Sequence, residues 1–121
     1  VWGDPSKLEA FGLFFGAMQN HADAVELPHG PLFGISDFDV FHSMVQKAGF
    51  HDVKAEELST VWRMPSINTL WNGFTAWANL STLPKSMRDA IEADVQQAAK
   101  SYQSNGEFRI PNPVILVSAT R

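Results

Sequence analysis

The sequence contains no cysteine, which excludes disulfide bonds and thiolate metal sites and is compatible with the cytoplasm as well as with other compartments. Its nine basic side chains are outnumbered by thirteen acidic ones and form no cluster, so the electrostatic footprint of nucleic-acid binding is missing. The longest apolar run, Val114-Ile115-Leu116-Val117, is far shorter than a membrane-spanning helix requires. We therefore expect a soluble, cytoplasmic protein with neither a nucleic-acid nor a membrane partner.

Glycine-rich loops and metal-ligand spacings are missing as well. The eight glycines stand singly, and none forms the G-x-G turn between a strand and a helix that lets backbone approach a nucleotide. The four histidines, His21, His29, His42 and His51, include no pair four residues apart. Pro28 also keeps Glu26 and His29 off one helix face. The residues thus predict neither a cofactor site nor a metal site.

What the sequence does contain is the periodicity of one domain over 1–121. Helices are predicted at about 6–24, from Ser36 to Gly49, from Pro65-Ser66 to Ala78, and from Leu83-Pro84 to Asn105-Gly106. Strands are predicted at 50–62, where Glu56-Glu57 suggests a bulge, and at 113–120, and Val1-Trp2 has the pattern of the end of a further strand. These elements predict an α+β fold with about four helices and a small, mainly antiparallel sheet.

Three short segments carry a family resemblance: Val1-Trp2, Leu27-Pro28-His29-Gly30-Pro31, and Ala48-Gly49-Phe50-His51-Asp52-Val53. With the order of elements around them, the sequence resembles the C-terminal part of class I S-adenosylmethionine-dependent methyltransferases, whose members commonly have A-G-F-x-x-V where a helix turns into the sixth strand. A left-handed glycine lets the helix stop there.

The resemblance covers the whole chain but only the latter half of a Rossmann-like family domain. The first four strands and the glycine-rich loop that holds the cofactor are missing. It therefore implies that S-adenosylmethionine is the cofactor of the parent enzyme, and that this chain alone binds none.

The resemblance also implies a role for the helical insert at about 66–104, because in this family the corresponding helices commonly cover the acceptor pocket and can contribute dimer contacts. Alignment and exclusion of water are much of what a protein supplies to methyl transfer. The residues assigned to a small-molecule methyl acceptor of unknown identity are Phe33, Trp62, Trp71, Phe74 and Trp77. Periodicity offers a competing interpretation, in which Trp71 and Phe74 belong to a core stripe and Trp77 lies off it.

His21 and His29 are weak candidates for a catalytic base, since an imidazole titrates near neutral pH. The competing interpretation is that each is a surface or helix-capping histidine.

Two functions remain open at this point. The first is the C-terminal, acceptor-side part of a methyltransferase, and the second is a freestanding, non-enzymatic α+β module that binds a hydrophobic ligand or associates with itself. A homo-oligomer is expected because an uncovered apolar strand such as Val114-Ile115-Leu116-Val117 pairs readily with other chains. The sequence upstream of Val1 would discriminate between the two functions, since four strand-helix units with a glycine-rich first turn would support the enzyme.

Overall fold

A computed structural model describes residues 1–21 and 37–121 of the chain. The α-helices of this part are α1 (Glu9–Gln19), α2 (Phe38–Lys47), α3 (Ile67–Trp77) and α4 (Lys85–Ala99). The strands are β1 (His51–Leu58), β2 (Val61–Met64), β3 (Gln103–Ser104), β4 (Glu107–Pro111) and β5 (Val114–Thr120). Within the described residues, four α-helices and two small antiparallel sheets confirm the predicted α+β fold.

The described residues group into two units. The first unit comprises 1–8, 37–61 and 111–121, and the second comprises 9–21 and 62–110. Sheet β1-β5 lies in the first unit. The three-stranded sheet, in the order β2-β4-β3, lies in the second unit apart from its end residues Val61 and Pro111.

Strand β5 is the central strand of the first unit. It pairs antiparallel with β1, from Leu58 opposite Val114 to His51 opposite Thr120. Val114 also forms an antiparallel bridge with Trp2, and the Val1 carbonyl accepts a hydrogen bond of 2.8 Å from the Ile115 amide. Because Val114 has partners on both sides, β5 lies between β1 and the Val1-Trp2 segment, which run parallel to each other. Trp2 thus takes part in strand pairing, as its sequence pattern predicts.

The turn from α2 into β1 has the geometry that its glycine predicts. Gly49 has φ +88°, its amide donates to the Gln46 carbonyl at 2.9 Å, and the Phe50 amide donates to the Val45 carbonyl at 3.3 Å. These two bonds form a Schellman motif, which satisfies carbonyls at the helix end that would otherwise lack a partner. A residue with a Cβ would be strained at Gly49, so the glycine has a conformational role here.

The start of α2 differs from the prediction. The helix is capped by Asp37, whose Oδ1 accepts from the amides of Asp39 at 2.9 Å and Val40 at 3.1 Å. Aspartate caps as well as serine does, and its charge is also favourable at the positive end of the helix dipole. Ser36, the predicted start, lies outside the described residues.

The region predicted as one strand at 50–62 forms two strands, β1 and β2, which are separated by Ser59 and Thr60. The predicted bulge at Glu56-Glu57 is wrong, because both residues are in regular register with β5. The irregularity lies between His51 and Lys54, where Asp52 has a left-handed φ of +52°. The left-handed conformation interrupts the hydrogen-bond ladder between β1 and β5 at this point. Aspartate tolerates this conformation better than most residues.

The first helix is shorter than the predicted 6–24. Asp4 caps a 3-10 turn, Pro5–Lys7, by accepting hydrogen bonds from the backbone amide and the hydroxyl of Ser6, and α1 begins only at Glu9. Within the second unit, α1 and α3 both pack against α4. The buried core residues of these helices include Phe14, Met18, Ile67, Leu70, Ile91, Val95 and Ala99.

The fourth helix ends earlier than predicted. After Ala99 the chain forms a 3-10 turn, Lys100–Tyr102, and then a β-hairpin in which Asn105 (φ 51°) and Gly106 (φ 79°) connect β3 to β4. Two successive residues with positive φ are typical of a type I′ turn, for which Asn-Gly is a preferred sequence. Asn105-Gly106 is thus the turn of a hairpin rather than the end of the helix. The helical part of the predicted insert at 66–104 accordingly stops before Gln103.

No α-helix among the described residues is both long enough and apolar enough to cross a bilayer.

Candidate functional site

The second unit contains a cluster of aromatic rings contributed by α1, α3 and β2, which we call the aromatic cluster. Its members are Phe11, Phe14, Phe15, Trp62, Trp71, Phe74 and Trp77. On α1, Phe14 and Phe15 lie three and four residues after Phe11, so both are neighbours of Phe11 on the helix surface. The α3 residues Trp71, Phe74 and Trp77 are three apart, and their rings contact the aromatic rings of α1.

The centre of the aromatic cluster is packed core. Phe14 and Phe74 stack nearly parallel, with ring centroids 4.5 Å apart and an interplanar angle of 8°. Phe11 meets Phe74 edge to face at 5.2 Å, and Trp71 lies 6.5 Å from Phe14. Phe14 is fully buried and Phe74 is 5% exposed. Such ring pairs stabilise a fold by about 0.5–1.5 kcal/mol each beyond the area they bury.

The rim of the aromatic cluster is accessible. Trp77 is 40% exposed, although its ring contacts Phe11 and Phe15 at 6.2 Å each and Phe74 at 6.3 Å. Trp62 is half-buried and lies 6.0 Å from Phe11. A large aromatic surface supported from behind by fixed rings can contact a flat apolar ligand with little loss of side-chain freedom.

Four of the five predicted acceptor-contacting residues thus belong to one cluster. Trp71 and Phe74 are buried, as the core-stripe interpretation of α3 predicts, whereas Trp62 and Trp77 offer accessible ring surface. Phe33 lies outside the described residues. Sequence reasoning missed the contribution of α1 to this cluster. It missed Phe14 above all, because the three- and four-residue spacing of Phe11, Phe15 and Met18 passes over Phe14, which is fully buried.

His21 lies at the end of α1 and is bound to α4. Its Nε2 is 3.2 Å from Oδ2 of Asp94, and the Asn20 side-chain amide donates to the same oxygen at 3.0 Å. The Asn20 hydrogen bond lowers the pKa of Asp94 below its ordinary value, and His21 acts in the same direction. This arrangement gives His21 a structural contact that joins the end of α1 to α4, and it is not a helix cap, because Nε2 faces a carboxylate of the other helix. His29, the other candidate base, lies outside the described residues.

A second contact that joins helical elements involves Tyr102. Its hydroxyl donates a hydrogen bond to Oε2 of Glu9, at the start of α1. This bond, followed by burial and by the charge of Glu9, raises the pKa of Tyr102 to about 12. The phenol is therefore held neutral, and it anchors the Lys100–Tyr102 turn to α1.

A buried amide lies at the edge of the first unit's sheet. Asn112 is fully buried, and neither its side-chain oxygen nor its side-chain nitrogen has a hydrogen-bond partner among the described residues. Its backbone is fixed by Thr60, whose carbonyl accepts from the Asn112 amide at 2.8 Å. Asn112 lies close to the point where β1 and Val1-Trp2 both end. Asn112 is thus a second candidate functional group, with no signal in the sequence pattern that marks it.

Within residues 1–21 and 37–121, no group of three or more His, Asp or Glu side chains could hold a metal ion. No protein-family model matches the sequence, and no curated protein is significantly similar to it. The family resemblance therefore remains a prediction based on the segments quoted above.

Proposed function

We propose that this chain is the acceptor-side, C-terminal part of an S-adenosylmethionine-dependent methyltransferase that acts on a small molecule. The cofactor would be bound by residues outside these 121, since the sequence has no glycine-rich turn for it. The contribution of the chain is then to hold the methyl acceptor and to exclude water from it.

The sheet of the first unit is the observation that carries this proposal. Val1-Trp2 and β1 run parallel, and the chain between them contains α1 and α2. Parallel strands joined through helices are the repeating unit of Rossmann-like sheets, which often also contain an antiparallel strand. An antiparallel last strand between two such strands, with a glycine-ended helix leading into β1, supports the assignment to the C-terminal part of a Rossmann-like methyltransferase domain.

Trp77 and Trp62, at the rim of the aromatic cluster, are the proposed contacts of the methyl acceptor. Both present ring surface that the rest of the cluster holds in place. The rings behind them are apolar, which favours an acceptor with a planar, apolar body.

Location and assembly are finer parts of the same proposal. A cytoplasmic location fits a chain whose fold uses no disulfide. A homo-oligomer is supported by Leu116, which is 56% exposed on β5.

The test is to express the complete reading frame that encodes these residues and to compare it with the 121-residue chain by titration calorimetry with S-adenosylmethionine. We expect the complete protein to bind the cofactor at one site and the 121-residue chain to bind none. A complete protein that lacks a glycine-rich strand-to-helix turn and shows no binding would contradict the proposal. Micromolar binding by the 121-residue chain alone would contradict the assigned division of roles.

A second candidate function is a freestanding, non-enzymatic module that binds a hydrophobic ligand or a second copy of itself. It is favoured by apolar side chains that are exposed in both units, among them Phe38, Val40, Met44, Trp77 and Leu116. A reading frame that starts at or close to Val1, together with ligand binding in the absence of any cofactor, would support this module instead.

A further inference from the structure

The dipeptide Asn-Gly occurs twice in the sequence, as Asn72-Gly73 and as Asn105-Gly106. An asparagine side chain loses its amide most readily in this dipeptide, because glycine has no Cβ to shield the next backbone nitrogen from the side-chain carbonyl carbon. All four residues are exposed, so water reaches both sites. The two copies therefore differ mainly in the backbone conformation that the fold gives them.

Asn72-Gly73 lies in the middle of α3, next to the buried Phe74. Each amide in a helix interior donates to the carbonyl four residues earlier, so the Gly73 nitrogen is held in a hydrogen bond and its peptide plane is fixed. The Asn72 carbonyl also accepts a hydrogen bond from the Thr75 hydroxyl at 3.0 Å. The Gly73 nitrogen can turn toward the Asn72 side chain only if this part of the helix opens, which would disturb the aromatic core.

Asn105-Gly106 forms the tip of the hairpin between β3 and β4. Its two residues have φ angles of 51° and 79°, and in the described part of the chain the Gly106 amide donates no backbone hydrogen bond. Strand β3 is only two residues long. So short a ladder opens locally at a small cost in free energy, and the backbone at the tip can therefore change its angles while the packed core stays intact.

We infer that Asn105 is a site of spontaneous deamidation and isomerisation, and that α3 protects Asn72 from the same reaction. The Gly106 amide nitrogen loses its proton to hydroxide and attacks Cγ of Asn105. The new N–Cγ bond closes a five-membered succinimide ring, and the Cγ–Nδ2 bond breaks as ammonia leaves with a proton taken from water. Water then opens the ring at Cγ to give aspartate, or at the main-chain carbonyl carbon to give isoaspartate.

Isoaspartate alters the hairpin more than aspartate does. Its main chain runs through Cβ and Cγ, so the turn gains a carbon atom and no longer fits a two-residue type I′ loop. The pairs next to the turn are Ser104 with Glu107 and Gln103 with Phe108, and we expect the isoaspartyl chain to lose them. The reaction needs only water and hydroxide, so the inference is independent of the proposed methyltransferase activity.

The test follows both sites in the intact chain during incubation at body temperature and mildly alkaline pH. Trypsin then separates them, because Asn105 falls in the peptide 101–109 and Asn72 in the peptide 64–85. Mass spectrometry, with fragment ions to identify the converted residue, should show Asn105 converting at least about tenfold faster than Asn72. A smaller ratio would mean that opening α3 costs less than about 1.4 kcal/mol. Equal rates, or faster conversion at Asn72, would overturn the inference.

Unfolding in guanidinium chloride is the control for the role of the backbone. When α3 and the hairpin are both lost, the two Asn-Gly pairs should convert at similar rates, because the same dipeptide is then equally free at both positions. A preference for Asn105 that persists undiminished in the unfolded chain would show that the neighbouring sequence causes it, and would contradict the protection assigned to α3.

Freshly prepared Asn105→Asp is the matched control for the effect on the hairpin, because it has the charge of the converted chain but an ordinary backbone. Amide hydrogen exchange in 103–108 should be faster in the converted chain, which contains isoaspartate, than in this variant. Exchange in α3 should be the same in both. Identical exchange in 103–108 would refute the predicted loss of the pairs between β3 and β4.

Discussion

The titration of the Tyr102 phenol can be measured without overlap from other tyrosines, because the sequence contains a single tyrosine. Its neutral form is stabilised in the folded state, where its pKa is raised to about 12. In the unfolded chain the phenol loses its proton near pH 10. The unfolded state therefore binds fewer protons than the folded state between these two values, and the linkage relation requires stability to fall as the pH rises through that interval.

We predict that the free energy of unfolding falls between about pH 10 and pH 12. Urea unfolding at a series of pH values measures this decline, and tyrosinate absorbance measures the pKa directly. Glu9→Gln removes the carboxylate and should bring the pKa of Tyr102 back toward its ordinary value, while Glu56→Gln, an exposed change on β1, should not. An unchanged tyrosinate titration in Glu9→Gln would contradict the contact.

Phe74 belongs to the core of the aromatic cluster and Trp77 to its rim, so substitutions at these two residues should differ in their effect on stability. Phe74→Ala should destabilise the fold by about 3–5 kcal/mol, because it leaves a cavity next to the Phe14 ring. Trp77→Ala should destabilise it less than Phe74→Ala does, because Trp77 is already 40% exposed and its removal leaves no closed cavity. Urea unfolding of both variants measures the difference.

The acceptor role of Trp77 is tested in the complete enzyme. If Trp77 contacts the acceptor, Trp77→Ala raises the acceptor KM or lowers kcat without changing the affinity for S-adenosylmethionine. A large loss of thermal stability with unchanged kinetics at low temperature would show that Trp77 is a core residue instead.

At the scale of elements, we expect replacement of glycine by alanine to have opposite effects on stability at Gly49 and at Gly12. Gly49→Ala places a Cβ at a φ of +88° and should destabilise the fold by about 1–2 kcal/mol. Gly12→Ala lies inside α1, where an added Cβ meets nothing within 4 Å, and should stabilise the fold by about 0.5–1 kcal/mol. Thermal unfolding of the two variants under one set of conditions measures both effects. Destabilisation of equal size in both variants would contradict this account of Gly49.

The sequence was informative wherever a local rule decides the structure. The Schellman turn at Gly49 and the buried face of α3 both follow from residue type and spacing, and both are as predicted. The hairpin at Asn105-Gly106 could also have been predicted, since Asn-Gly favours a type I′ turn. From the sequence alone these residues are interpreted as a helix end instead, because the apolar period of the helix continues to Tyr102. On α4, Ala99 is buried and Ala98 is exposed, although either alanine fits the apolar spacing after Val95. Which of them is buried depends on the packing partner, which periodicity alone does not fix.

The candidate sites were predictable only in part. Trp62 and Trp77 stand out in the sequence, and the structure brings both into one cluster. The unpaired atoms of Asn112 leave no trace in the sequence, because an unsatisfied hydrogen bond depends on what surrounds a side chain in three dimensions.

At the scale of the whole molecule, the feature that bears on assembly is Leu116, an apolar residue of β5 that is 56% exposed. We predict a dimer or larger species in solution, and Leu116→Lys should shift it toward the monomer, because the charge opposes burial of this exposed side chain against a second copy. Thr69→Lys, which adds the same charge at an exposed polar position on α3, is the control and should leave the assembly unchanged. Light scattering over a range of concentrations measures the mass. A monodisperse monomer of the unmodified chain at high concentration would refute the prediction.

The position of β5 between Val1-Trp2 and β1 also has a consequence for the time course of folding. Val1 and Ile115 are hydrogen-bonded although they are 114 positions apart in the sequence, and such distant pairings form slowly because a long loop must close first. β5 is also the last strand of these residues to leave the ribosome. During synthesis, β1 and Val1-Trp2 cannot pair with β5 until β5 has been made. The contact between α1 and α3, in contrast, needs no residue beyond Trp77. The helical residues can thus begin to pack while the sheet is still incomplete.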